Sequence, residues 1–135
     1  MFAHFSPAAQ AVVHLAEQEC RNASHYYLGT EHLLLAMAIA PPPDIAAYFQ
    51  AARIEPWQVK RALRALMEPP AEHPWEGIVI TPRVLRIFSA ATSAAQTRSA
   101  AVEPIDVLRG ILAEGNCVAA RALAALAARP ERTAS

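Results

Sequence analysis

Glycine is scarce in this chain, four in 135 residues, and aromatic residues make up only 7%. No Gly-x-x-x-x-Gly-Lys-Ser/Thr string occurs, so the sequence carries no ATPase phosphate loop. Charge of either sign is not in excess: twelve acids balance twelve bases. Nucleic-acid binding needs a concentrated positive field, so no nucleic-acid partner is expected. A neutral surface suits protein contacts instead. No apolar run approaches the ~20 residues that cross a bilayer, so no membrane partner is expected. Met1-Phe2-Ala3-His4 has neither the basic nor the apolar region of a signal peptide, and a cytoplasmic protein is expected. There are only two cysteines, Cys20 and Cys117, which read as reduced, small-residue positions.

Apolar residues are abundant, at 54% against 18% charged, so an ordered core is expected. The length suits one domain over 1–135. The sequence also repeats itself. Phe5-Ser6-Pro7 matches Ile80-Thr81-Pro82 seventy-five places on, Val12 matches Ile87, and Ala16 matches Ala91. At the same offset Glu31 matches Asp106, Leu33 matches Leu108 and Met37 matches Leu112. A duplicated helical unit follows, with two related sites rather than one catalytic centre.

The spacing predicts an all-α fold of about seven helices in two units of a four-helix type. Repeat 1 covers about 5–67, a boundary 68–80, repeat 2 about 81–127 and a tail 128–135. Ser6-Pro7 and Thr81-Pro82 are matching helix starts: the hydroxyl caps free N–H groups, and proline at the first helical position loses no needed donor. Gly29-Thr30-Glu31 opens helix 2, and Pro41-Pro42-Pro43 ends it. Asp44 caps helix 3, and Pro56 opens helix 4 with Trp57, Val59, Leu63, Leu66 and Met67 as its apolar set. Pro69-Pro70, Pro74 and Gly77 break the chain between the units, with Ile78-Val79-Ile80 the one strand-like stretch. In repeat 2, Pro104 opens helix 6 and Cys117 to Ala127 forms helix 7, closed by Arg129-Pro130. Nothing matches helix 4. Either small side chains close the gap, or Leu123 and Leu126 line an open face that serves as an interaction site or homodimer contact.

Several of these strings resemble a known family. Phe5 to Val13 followed by Tyr27-Leu28-Gly29-Thr30-Glu31-His32-Leu33-Leu34-Leu35 is similar to a first Clp N-terminal repeat. Ile80-Thr81-Pro82-Arg83 and Asn116 to Leu123 are similar to the second. The whole resembles the N-domain of ClpC-type AAA+ unfoldases over about 1–127, here standing without the ATPase modules that follow it there.

Helix N-termini favour anions, and a carboxylate beside one can pair a guanidinium in a fork. Thr30 and Glu31 hold that position. The resemblance implies a phosphoarginine pocket there, with Glu31 taking the guanidinium and backbone N–H groups the phosphate. Asp106 is the expected counterpart in repeat 2, with Ile105 in place of a threonine. The resemblance also implies a peptide and partner patch of Phe2, Val13, Ile80 and Leu85, with Phe2 as its exposed anchor. The histidines His4, His14, His25, His32 and His73 make no zinc pattern with the cysteines. Pairing Cys20 with His25 or His14 as a nucleophile lacks an acid or oxyanion partner, so no catalysis, cofactor or metal is expected. The expected function is a binding module that acts as adaptor or regulator of a Clp unfoldase–protease. Its expected partners are Clp subunits, protein substrates or cyclic peptides. The alternatives are a decoy that sequesters cyclic peptides, or a homodimeric interaction protein.

Overall fold

The computed structural model describes residues 2–72 and 77–128. His73, Pro74 and everything from Arg129 on lie outside them. Seven helices and a two-stranded sheet form in the order α1 (Pro7–Asn22), β1 (Tyr27–Leu28), α2 (Thr30–Ile39), α3 (Pro43–Ala52), α4 (Pro56–Leu66), β2 (Val79–Ile80), α5 (Pro82–Thr97), α6 (Pro104–Glu114) and α7 (Val118–Ala127).

The duplication is visible in backbone detail. The Ser6 hydroxyl accepts from the Ala9 N–H and the Thr81 hydroxyl from the Val84 N–H, so α1 and α5 start alike. Both helices are 16 residues long, and each is followed by a serine in the left-handed region, Ser24 at φ 57° and Ser99 at φ 53°. His25 N–H closes onto Cys20 O as Ala100 N–H closes onto Ala95 O. The two halves then interlock. β1 pairs in parallel with β2, at the entrance of repeat 2, and Phe5 bridges to Val102, at the equivalent corner of the other half. α3 packs on α6 and α7 on α2, so each half lends its third helix to the other.

The second connection is one residue shorter. Residues seventy-five apart correspond through 25 and 100, yet α2 begins at Thr30 and α6 at Pro104, only seventy-four apart. The third helical residues are therefore His32 and Asp106, and each bonds the N–H of its own cap residue, Gly29 or Glu103. A fixed offset pairs Glu31 with Asp106. The folded chain instead pairs Glu31 with Ile105.

The core runs through both units. Leu33, Leu34, Leu35 and Met37 of α2 are buried, as are Ile45, Phe49, Val59, Leu63, Ile87, Leu108 and Ile111. α2 is the central helix and is apolar on every side, as burial all round requires. On α4 the apolar set narrows to Val59 and Leu63, while Trp57 and Leu66 are exposed. α7 lies against α4, α2 and α6. Leu123 and Leu126 are buried, so of the two alternatives the gap is closed rather than open. The alanines Ala119, Ala120 and Ala122 are buried beside them and permit close helix approach. α3 begins at Pro43 with Pro42 as cap residue. The Asp44 carboxylate takes the N–H of Ile45 and, across the repeats, that of Ile105.

Candidate functional site

The corner between β1 and α2 builds the site. Gly29 caps α2 in extended backbone, which turns the chain from strand into helix within one residue. Thr30 and Glu31 follow, both buried. The Glu31 carboxylate lies back across the cap: a Cβ on Gly29 would stand 2.4 Å from Glu31 Oε1. Only glycine admits that approach. Tyr27 OH donates to Glu31 Oε2 at 3.1 Å. Thr30 Oγ1 accepts from the Ala119 N–H at 3.4 Å, which joins the starts of α2 and α7.

Opposite Glu31 stands the start of α5. Thr81, Pro82, Arg83 and Arg86 complete a cavity of about 260 Å³ with Tyr27, Gly29, Thr30 and Glu31. The cavity is thus lined by a buried acid, Glu31, from one repeat and by two arginines from the other. Arg86 reaches Glu114 at 3.3 Å. Arg83 is exposed. Such a site suits a ligand with a cationic end for Glu31 and an anionic end for the arginines.

Repeat 2 has no such arrangement. Asp106 accepts from Arg98 Nη1 at 2.9 Å and Nη2 at 2.8 Å, and from the Glu103 N–H at 2.9 Å. Its side chain is 1% exposed, beneath an Arg98 side chain that is 42% exposed. Burial alone raises its pKa, but the Arg98 hydrogen bonds, the Glu103 N–H and the neighbouring cations hold it below the usual carboxylate value. The residues matching Arg83 and Arg86 are Ala8 and Ala11. Thr30, Glu31 and Asp106 are therefore not one kind of site in two copies.

The patch residues are split as well. Val13 is buried in the core. Phe2 is half-buried, edge-on to Phe5 at 5.2 Å and Phe88 at 5.6 Å, so it is a wedge in an aromatic trio rather than a free anchor. Ile80 is partly buried on β2. Leu85 is exposed, as is Val79, which sequence reading passed over.

Cys20 is fully buried, its thiol donates to Tyr27 O, and burial first, then Glu31, pushes its pKa up to about 12. The His25 ring nitrogens engage His32 and Glu68 O, which leaves Cys20 without that base. Among the described residues no three His, Cys, Asp or Glu side chains converge to hold a metal, and no single helix is long and apolar enough to cross a membrane. Sequence reading missed Tyr27, Arg83 and Arg86 in the cavity. The arginines lie directly after the Thr81-Pro82 cap, but only the interlocked repeats bring them to Glu31.

The described residues form a duplicated helical module with a cavity between the repeats. Comparison with known proteins gives its family. The Clp repeat (R) N-terminal domain model matches residues 4–126, and the chain belongs to that family. It is 28% identical over 124 residues to the chaperone protein ClpB of Oceanobacillus iheyensis, and 29% identical over 124 residues to the negative regulator of genetic competence ClpC/MecB of Bacillus subtilis. Each alignment covers 91% of this chain and 15% of the relative. The N-terminal domain of ClpD from Arabidopsis thaliana has the same fold, with a TM-score of 0.74, 19% identity and 96% and 91% of the two chains covered. So does a ClpV N-domain solved in complex with a VipB peptide, at TM-score 0.74, 17% identity and 85% and 71% coverage. The chain thus has the family and the fold of a Clp N-terminal domain and spans about 15% of the length of the curated relatives it matches.

Proposed function

We propose that this chain is an adaptor or regulator of a Clp unfoldase–protease, and that it captures protein segments through the Glu31 cavity. The observation that carries this is the placement of buried Glu31 and of Arg83 and Arg86 around one opening. A phosphoarginine side chain matches that polarity. Its guanidinium faces Glu31 and its phosphate faces the two arginines and the start of α2. Recognition is one mark per domain, because Asp106 already holds Arg98. The peptide bound by the ClpV N-domain supports a peptide ligand for this fold. Two free, buried cysteines fit a reducing, cytoplasmic setting.

Calorimetric titration tests the reading. A phosphoarginine peptide should bind at one site per chain, its arginine twin at least tenfold more weakly, and Glu31→Gln should lose the preference. Equal binding of both peptides, or none by the wild-type chain, would overturn it. A second reading has one observation in its favour. Leu85 and Val79 are exposed at the β2–α5 corner and offer apolar surface to a cyclic peptide, as a decoy requires. The homodimer through Leu123 and Leu126 has no exposed face to use.

A further inference from the structure

We propose that the buried His25–His32 pair is a proton-operated strut. Neutral, it ties the chain after α4 to the start of α2; protonated, it releases both and slackens the Glu31 corner.

The geometry fixes every proton in the pair. The Gly29 N–H has only a donor to offer, and it points at His32 Nδ1 from 3.0 Å. His32 Nδ1 is therefore bare, and its proton is on Nε2. That Nε2–H meets His25 Nδ1 at 2.8 Å, so His25 Nδ1 is bare in turn. The His25 proton is on Nε2 and goes to Glu68 O at 2.8 Å. A fixed donor stands at one end and a fixed acceptor at the other, so the series closes only with both rings neutral. One more proton on either ring sets two N–H groups against each other at hydrogen-bond distance. Water cannot relieve this: His32 is fully buried and His25 is 3% exposed. Burial first, and His25 second, lower the His32 pKa to about 4.

Few neighbours could hold an imidazolium. α1 brings Cys20, with Glu17 and Arg21 beside it; β1 brings Tyr27; α2 brings Glu31. Tyr27 and Cys20 stay protonated, because burial first and Glu31 next raise both. The Glu31 carboxylate is engaged by Tyr27 OH. Glu68 presents its carbonyl. α4 and α7, which also pack on α2, bury only apolar residues, and β2 carries Val79 and Ile80.

What the strut joins gives the consequence. Glu68 lies just beyond α4, and three residues later the Ala71 N–H bonds Ser24 O. Gly29 is the cap against which Glu31 rests. Breaking the series frees residues 68–72 from the α1–β1 corner and removes the acceptor that holds the cap.

Nitrogen-detected NMR of the wild-type imidazoles, with amide exchange and melting from pH 7.5 to 4.5, tests this without a ligand. Both rings should show Nε2–H at pH 7, and the His32 ring should stay neutral well below pH 6.5. From pH 7 to 4.5 Tm should fall by roughly 10 °C. Protection at Gly29 and Ala71 should drop at least tenfold before that of the Leu108 amide in the core. His25→Gln should show half that fall in Tm or less. A His32 ring that titrates near 6.5 with Gly29 and Ala71 still protected, an Nδ1–H tautomer on either ring, or a pH-independent Tm would overturn the strut. If His25→Gln does not fold, the wild-type spectra still decide. The link to recognition rests on the Glu31 reading above, whereas the titration does not, so each can fail alone.

Discussion

The starts of α2 and α6 hold the same place in two copies of one unit, yet they solve the same problem with opposite chemistry. Each must bond the N–H of its cap residue from the third helical position. At α2 a neutral imidazole does so, His32, and hands its other nitrogen to His25. At α6 a carboxylate does so, Asp106, and the fork of Arg98 neutralises it. The ion pair fills the α6 corner from within. The neutral solution leaves the α2 corner without a cation of its own, and there Glu31 faces the cavity. The difference shows that duplication preserves backbone geometry more faithfully than polarity, and the half whose carboxylate has no internal cation is the half we propose takes an external one.

The same asymmetry governs the third helices, and the largest expected effect tests it. α7 is covered by α4, while α3 has no such cover among the described residues. Leu123→Ala should cost about 2–5 kcal/mol, since a buried leucine is removed without room to collapse. Tyr48→Ala on half-buried α3 should cost clearly less in the same urea titration. Equal costs would mean that α7 gains nothing from α4. Next in size is the pH response of the two corners. His32 has a folded pKa below its unfolded 6.5, at about 4, so its contribution is complete above 6.5 and is lost as pH falls between those values. The loss is on the order of 3 kcal/mol. Asp106 is depressed below 3.8, so its contribution persists through that window and disappears only at lower pH. Unfolding titrations of wild type and Asp106→Asn should therefore run parallel from pH 7 to 5. Smaller again is the bond to the cap residue: Asp106→Ala should cost about 1–2 kcal/mol by the same measurement, since the Glu103 N–H and Arg98 lose their acceptor.

Much of the fold was legible in residues. Ser6-Pro7 and Thr81-Pro82 marked two helix starts that are capped alike, and Pro56 and Pro104 opened the helices that follow, whereas Pro43, read as the end of α2, in fact begins α3. Apolar spacing found Val59 and Leu63 on α4 but misplaced Trp57 and Leu66, since it does not say where the neighbours of the helix end. The site was half legible. Thr30 and Glu31 announce themselves as the first turn of a helix, but their opposite wall comes from α5, fifty residues away and in the other repeat. The pairing of Glu31 with Asp106 failed for a local reason. One residue is missing from the second connection, and a fixed offset has no means of sensing where a turn is tighter. His25 and His32 looked like scattered histidines because their relation is set by the turn between them, not by a motif.

The smallest change that separates the two corners is a methyl group. Gly29→Ala places a Cβ at 2.4 Å from Glu31 Oε1, so the carboxylate must swing off the cap. The Gly29 φ of −107° is open to alanine, so the backbone itself does not object. Stability should change by less than about 1 kcal/mol, because alanine at a cap loses little against glycine. Binding of a phosphoarginine peptide should weaken about tenfold, equivalent to about 1.4 kcal/mol, if Glu31 must sit where it does to receive a guanidinium. Glu103→Ala, the parallel change at the α6 cap, should leave that binding untouched, because Asp106 answers to Arg98 rather than to a ligand. If both changes weakened binding alike, the corners would be functionally equivalent and the single-site reading would be lost. If neither did, Glu31 would be a helix-capping acid and recognition would lie elsewhere on the surface.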